Sequence, residues 1–142
     1  MFWYIQIAMD IYKTKEKIIS GTSYSEIYKE AYSVYKYIES HSKRKPYIRS
    51  KYFNNEKVFL NYFWEHLRSK SFRDRVRRLK YYLCALDLIK NSRNEPAITI
   101  NPMKKSEILY RFVGTTKFNN TYYVQIKMDK KNQKFFMSVF PK

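Results

Sequence analysis

Three segments near the end of the chain alternate between two kinds of side chain, as strands with one open face do. They cover residues 107–113, 122–128 and 135–140. The alternation predicts that one sheet face carries cations, an amide, a hydroxyl and two flanking rings, while Met137 and Val139 pack against helices on the other. The residues of the open face are Arg111, Lys127, Gln125, Ser138, Tyr123 and Phe136.

These groups suit cleavage of a phosphodiester through a neighbouring ribose 2′-hydroxyl. A base must take the 2′ proton, an acid must protonate the leaving oxygen, and cations must stabilise the charge that develops on phosphorus. His66 is the natural acid or base, because an unperturbed histidine has a pKa of about 6.5. Arg111 and Lys127 would stabilise charge, and Ser138 would position the phosphate. The reaction needs neither metal nor cofactor. The plainer alternative is an amphipathic sheet whose polar residues simply face solvent.

The stretch from Lys43 to Lys80 holds 13 lysines and arginines against three acids, which gives +10 of the net charge of +17. Aromatic residues stand between these charges. Such a density favours docking of a polyanion, and rings could stack on bases. The alternative is an aromatic core with a solvated charged face. The candidate nucleic-acid-binding residues are Lys45, Arg49, Arg73, Arg77, Arg78, Tyr81 and Gln125.

The composition excludes several classes of protein. One cysteine, Cys84, rules out a disulfide framework and fits a reducing cytoplasm. Two histidines without ligand spacing predict no zinc site. The apolar start, Met1 to Met9, is too short for a membrane span and lacks the features of a signal peptide. We therefore expect a cytoplasmic protein without membrane contact.

The first part of the chain predicts two helices. Apolar spacing favours one over Trp3–Ile18, which Gly21 ends, and Ser23 with Glu26 forms a capping box for the next. We expect an antiparallel helical pair, rich in tyrosine, that packs on the main body or joins copies in a homo-oligomer. Residues 1–42 would form this helical extension.

Two further helices are predicted after a basic loop over His41–Tyr52. Asn54 or Asn55 would cap the first, whose buried face includes Phe59 and Leu67. Ser71 would cap the second, which runs to about Asn91. Ala97–Ile100 could then add a strand to the three alternating segments.

The order of elements predicts an α+β fold in which N-terminal helices precede a small antiparallel sheet of three to four strands. Residues 43–142 would form one domain with basic helices and a C-terminal sheet.

Short motifs in this second part carry a family resemblance. The run "ALDLIKNSRNEPAI", followed by "EILYRFVG", "TYYVQIKMD" and "KFFMSVFP", resembles the phage and mobile-element branch of the barnase/EndoU/colicin/RelE-like (BECR) nucleases. The resemblance covers about Val58 to Lys142. It implies cleavage of RNA, transfer RNA included, by a toxin-like protein that an antitoxin or immunity protein restrains. His66 in "FWEHL", Arg111 in "LYRF" and Ser138 in "MSVF" would take the family's site positions, with Lys127 as an auxiliary cation. The second histidine of the two-histidine members is missing.

Three other functions stay open. Glu107 followed by Gln125 and Lys127 could imitate the acidic motif of metal-dependent, restriction-type nucleases, although such sites need clustered carboxylates. A non-catalytic module of phage or mobile-element origin could bind RNA or DNA through phosphates alone. An inactive relative could act in assembly through the tyrosine-rich helices.

Overall fold

The structure, a computed structural model, describes residues 11–142. These residues form four helices and one seven-stranded sheet. The helices are α1 Tyr24–Ser40, α2 Asn61–Leu67, α3 Phe72–Leu79 and α4 Tyr82–Asn91. The strands are β1 Tyr12–Lys13, β2 Tyr47–Ser50, β3 Glu56–Phe59, β4 Ala97–Ile100, β5 Ile108–Thr115, β6 Thr121–Met128 and β7 Lys134–Pro141.

The sheet is mixed, with the strand order β1-β5-β6-β7-β3-β2, and β4 also pairs with β5. Strands β4 to β7 form an antiparallel meander. Two parallel pairings extend it, because β1 adds to β5 and β3 adds to β7. The α+β class is therefore correct, but the prediction of N-terminal helices before a small antiparallel sheet of three to four strands is wrong.

Hydrogen bonds to Asp87 explain why the chain enters the sheet at β1. The helix predicted over Trp3–Ile18 is wrong from residue 11 onward, and its earlier part lies outside the described residues. Tyr12 and Thr14 donate their hydroxyls to Asp87 at 2.9 and 2.6 Å, and the Lys15 amide donates at 3.3 Å. These bonds tie the segment that contains β1 to α4.

The helix cap predicted at Ser23 is confirmed. Ser23 Oγ accepts a hydrogen bond from the Glu26 amide at 3.2 Å, and α1 begins at the next residue. The helix buries Ile27, Ala31 and Tyr35 in the core. The predicted division at residue 42 stays a prediction, although α1 packs on α3 and on β2.

The basic loop predicted before Tyr52 contains a strand, because β2 and β3 form a hairpin. Pro46 prevents a helix but not the strand that follows it. Asn54 and Asn55 have φ values of 60° and 65°, the left-handed conformation that asparagine tolerates in turns. The prediction that either asparagine caps a helix is wrong, and α2 begins later, at Asn61.

The helix predicted from Ser71 to Asn91 is broken in two. Ser71 caps α3 as predicted, since its Oγ accepts from the Asp74 amide at 3.3 Å. The chain then turns at Lys80 and Tyr81, and the Lys80 carbonyl accepts a hydrogen bond from the Ile19 amide at 2.9 Å. On either side of the break, α3 packs on β7 and α1, whereas α4 packs on β2 and β6.

One hydrophobic core joins the helices to the sheet. Phe63 of α2 stacks on Phe136 of β7 at 4.7 Å between ring centroids, and Tyr82 of α4 lies 5.2 Å from Phe63. All three side chains are buried. Tyr28 and Tyr32 of α1 pack edge-on against Trp64, so these tyrosines serve the fold of the chain itself. None of the helices described between residues 11 and 142 is long and apolar enough to cross a membrane.

A β-bulge in β7 decides which side chains share a face. Phe136 pairs with Ile126, but Ser138 pairs with Gln125, so Met137 is an extra residue. Phe136 therefore points into the core with Val139, and the prediction that Phe136 flanks the open face while Met137 packs on helices is wrong. Ser138 keeps its predicted face.

Candidate nucleic-acid interface

Residues paired directly across neighbouring strands point to the same side of a sheet, and this rule assembles one cationic face. In one row Ser138 pairs with Gln125, which pairs with Arg111. In another, Phe135 pairs with Lys127. On the far hairpin the face continues through β2 and β3. We call this surface the polar face; it comprises Tyr47, Arg49, Lys57, Phe59, Phe135, Ser138, Phe140, Tyr123, Gln125, Lys127 and Arg111.

Arg78 of α3 reaches this face beside the part of the β7 edge that β3 leaves unpaired. Strand β3 pairs with β7 only at Lys134 and Phe135, and α2 and α3 pack along the strand instead. The Arg78 guanidinium donates to Ser138 Oγ and, through Nε, to Asp74 Oδ2 at 3.0 Å. Arg77 also donates to Asp74, at 3.1 Å. Burial would raise the pKa of Asp74, but these hydrogen bonds outweigh it and lower the pKa.

A second guanidinium borders the same aromatic ring as the first. Arg111 and Arg78 approach the ring of Phe140 at 5.1 and 5.4 Å from its centroid, and Arg111 also lies 5.4 Å from the Tyr123 ring. Burial lowers the pKa of Arg111, although the group keeps its charge at neutral pH. Two arginines that border one phenyl ring, one of them bonded to a hydroxyl, form an arrangement that suits a phosphate group.

His66 joins the polar face from α2. Its ring stacks on Tyr62, one helical turn earlier, at 5.9 Å between centroids. Burial lowers the pKa of His66, and the positive charges of Lys70, Arg78 and Lys127 lower it further. Since the neutral imidazole prevails at pH 7, His66 is better suited to accept a proton than to donate one.

Lys127 is held between a carboxylate and a ring. Its ammonium lies 4.0 Å from the centroid of Tyr62 and 3.5 Å from Glu107 Oε2. Glu107 is buried and also pairs with Lys104 at 3.6 Å. The acid of the restriction-type alternative thus contacts two lysines. Between residues 11 and 142 no group of three His, Cys, Asp or Glu side chains is placed to hold a metal ion.

The other end of the polar face borders a basic cleft of about 760 Å³. Lys45 lies in its wall and is exposed. Arg49 is also exposed, lies 5.5 Å from the ring of Tyr47 and donates to the Asn55 carbonyl at 3.0 Å. Both residues are therefore accessible to a polyanion, as their predicted role requires.

Not every predicted residue lies at this face. Arg111, Gln125 and Ser138 lie side by side on neighbouring strands, and Arg78 bonds to Ser138. His66 lies near Arg78 and Lys127, whose charges act on its ring. Arg73 and Arg77 are exposed on α3. Tyr81 lies elsewhere, buried in the core with its ring 5.6 Å from that of Tyr122.

Three residues that contact the predicted site residues, Tyr62, Asp74 and Phe140, were not predicted from the sequence. Tyr62 lies four positions before His66 and Asp74 four before Arg78, and this spacing places side chains together on a helix. That signal was available. The approach of Phe140 to Arg78 and Arg111 depends on the tertiary fold and had no local signal.

No protein-family model, no curated protein and no solved structure matches this chain. The BECR resemblance therefore remains an interpretation of short motifs, and the geometry of the polar face carries the argument about function.

Proposed function

We propose that the protein is a metal-independent endoribonuclease, toxin-like in character, that cleaves RNA through attack of the 2′-hydroxyl. The observation that carries the proposal is that His66 lies near Arg78 and Lys127, at the end of the polar face where Arg78 bonds to the Ser138 hydroxyl. A scissile phosphate would lie between Arg78 and Arg111, which approach the same phenyl ring. Their charges would offset the negative charge that develops on the phosphate oxygens.

In this mechanism His66 is the general base. It takes the proton from the ribose 2′-hydroxyl, and the oxygen attacks the adjacent phosphorus while the bond to the 5′ oxygen breaks. Lys127 stabilises the negative charge on the leaving 5′ oxygen, which takes its proton from water. Ser138, fixed by Arg78, orients a non-bridging oxygen. The products would be a 2′,3′-cyclic phosphate and a free 5′-hydroxyl.

We expect the protein to act in the cytoplasm, where RNA is abundant and Cys84 stays reduced. Transfer RNA is one candidate substrate. An acidic antitoxin or immunity protein is the natural restraint, since the net charge of +17 favours an anionic partner.

One observation favours a second function, a non-catalytic RNA-binding module. Lys127 already has Glu107 as a partner and Ser138 already has Arg78. A face whose cations are paired within the protein can still bind phosphates, with the salt dependence typical of such contacts, but it has fewer groups ready for proton transfer.

The test is incubation of total RNA with the protein in excess chelator, followed by analysis of the RNA ends. We expect cyclic phosphate ends, and loss of a general base should lower the rate by about 10²–10⁴-fold in His66→Ala. His41→Ala is the matched control at saturating protein concentration, because His41 caps α1 and lines the basic cleft at the other end of the polar face from Arg78 and Lys127. Cleavage that persists in His66→Ala, or that needs magnesium, contradicts the mechanism. RNA binding without cleavage leaves the binding module.

A further inference from the structure

A line of aromatic rings crosses the polar face from strand to strand. Tyr47 of β2 pairs with Phe59 of β3, and Phe59 pairs with Phe135 of β7. Their centroids are 6.4 and 5.8 Å apart. All three rings are half-buried, so each keeps a surface open to solvent.

The line ends at the histidine. The centroid of Phe135 lies 6.5 Å from that of Tyr62, and Tyr62 stacks on His66. Lys127 contacts the rings of both Tyr62 and Phe135. We call Tyr47, Phe59, Phe135 and Tyr62 the aromatic row.

Cations accompany the row at its outer end. The ammonium of Lys57 lies 4.7 Å from the centroid of Tyr47. Beside it, Lys43, Arg44 and Lys45 line the basic cleft, into which Tyr47 and Phe59 also project. Stacking surfaces thus stand next to groups that bind phosphates, from the cleft inward to Lys127.

A row of open rings flanked by cations has the features of a platform for single-stranded nucleic acid, where bases stack on rings and the backbone follows a positive groove. A duplex cannot use it, because its bases already stack on one another. The direction is also defined, since the row leads to His66. The three rings on the strands span two strand spacings, roughly 10 Å at about 4.8 Å each, which is enough for about three stacked bases at ~3.4 Å each.

We propose that the aromatic row and the basic cleft bind single-stranded RNA and guide it to the face where His66 lies. The preference for a single strand follows from the open rings. The choice of RNA, and the idea that the bound strand is cut, rest on the proposed function. An acidic protein segment would fit the charges of the cleft but would have no planar bases to stack on the rings.

Binding and cleavage can be measured separately. The probe is a short, unstructured, fluorescein-labelled 2′-O-methyl RNA, which lacks the nucleophile, followed by fluorescence anisotropy in chelator. Phe59→Ala and Phe135→Ala should each weaken binding about tenfold, because a base–ring stack contributes on that order. Phe59→Tyr and Phe135→Tyr keep the ring and should bind as the unaltered protein does.

Phe118→Ala is the matched control off the row. Phe118 is exposed and has its own cation, since Lys117 lies 5.3 Å from its centroid, yet it lies in the loop between β5 and β6. Its removal should leave the affinity unchanged. A hairpin in which the probe sequence is paired with its complement should bind at least tenfold more weakly than the single strand. Melting curves identify any variant that fails to fold. Phe59→Leu and Phe135→Leu, which keep an apolar side chain without a ring, should then show the same loss of affinity and decide the question.

The outcomes separate the two proposals. If the ring variants bind the single strand as tightly as Phe118→Ala does, or if the duplex binds equally well, the row does not stack bases and this inference is overturned. A polyglutamate peptide serves as the competitor at equal charge concentration. If it displaces the probe and binds the two alanine variants as tightly as the unaltered protein, the inference is also overturned. Ring-dependent binding with no cleavage of ordinary RNA supports the row and rejects the ribonuclease. Cleavage of RNA whose binding does not depend on the rings supports the ribonuclease and rejects the aromatic row as a binding platform.

Discussion

Arg78 of α3 donates a hydrogen bond to the hydroxyl of Ser138 in β7, 60 positions later in the chain. The same guanidinium is held on its other side by Asp74. The Arg78 side chain is 14% exposed, so this pair of contacts fixes a cation where solvent screens it only partly. An incoming phosphate would find the guanidinium already oriented, which lowers the conformational entropy lost on binding.

The first prediction concerns this orientation. Arg78→Lys should weaken binding of the 2′-O-methyl RNA probe about tenfold, because an ammonium cannot reproduce a planar fork that contacts Asp74, Ser138 and a phosphate together. Fluorescence anisotropy at fixed salt measures the loss. Arg73→Lys is the control, as Arg73 is an exposed arginine of the same helix. Equal affinities for the two variants would refute a special role for Arg78.

The second prediction concerns the entry of the chain into the sheet. Asp87→Ala should lower the free energy of unfolding by about 2 kcal/mol, since Asp87 accepts hydrogen bonds from Tyr12, Thr14 and Lys15 and bonds to a charged group are among the stronger ones. Urea unfolding at neutral pH measures it. Glu95→Ala, which removes an exposed carboxylate bonded to Tyr52, should change stability by under about 0.5 kcal/mol.

The pH dependence of this contribution has a definite sign. Burial would raise the pKa of Asp87, but its hydrogen bonds outweigh burial and lower it below the unfolded value. The stabilisation is therefore present above about pH 3.9 and is lost as the pH falls through the lower pKa of the folded state. A difference between wild type and Asp87→Ala that grows on acidification would contradict this account.

The sequence was sufficient where local signals agreed with the fold. Ser23 and Ser71 cap helices as their spacing predicts, and period-2 alternation located β5 and β6. Direct pairing then places Arg111, Gln125 and Lys127 relative to one another. The sheet face on which a residue of a long, alternating strand lies is therefore predictable from the sequence pattern.

The rest depended on tertiary structure. The two parallel pairings of β1 and β3 join residues that are distant in the sequence, and strands of two and four residues carry no periodicity of their own. Tyr12 becomes a strand residue because Asp87 is there to bond it. The alternation of residues in β7 does not reveal the bulge at Met137. A prediction from the sequence alone therefore assigns Phe136 to the open face and Met137 to the core, the reverse of what the structure shows.

The third prediction concerns the number of phosphates that the polar face contacts. Arg49→Gln and Lys45→Gln should each reduce the slope of log affinity against log salt by about 0.7, the value for one phosphate contact on a single strand. The affinity at low salt should fall too, while the preference for single strands should remain. Titrations of the RNA probe at several salt concentrations measure the slope. Arg93→Gln, at an exposed position before β4, should leave it unchanged.

The fourth prediction concerns the proton affinity of His66. Burial first, and then the charges of Lys70, Arg78 and Lys127, lower its pKa. In an NMR titration its ring signal should therefore change below the ordinary value of about 6.5. The chain has only two histidines, so His41→Gln assigns the signal. Lys70→Gln should move the midpoint upward, because it removes a positive charge near the ring. A midpoint above 6.5, or one that Lys70→Gln leaves in place, would refute the described surroundings of His66.

The same shift has consequences for rate and for stability. If neutral His66 is the base, the rate of RNA cleavage should fall on the acid side with the midpoint measured by NMR, and Lys70→Gln should move both together. The unfolded state takes up the His66 proton first, so folding stability should decline as the pH falls from about 6.5 through the lower folded midpoint. His66→Gln should remove this part of the decline, whereas His41→Gln should leave it. A rate profile that ignores the NMR midpoint would show that another group accepts the proton, even if His66 titrates as described.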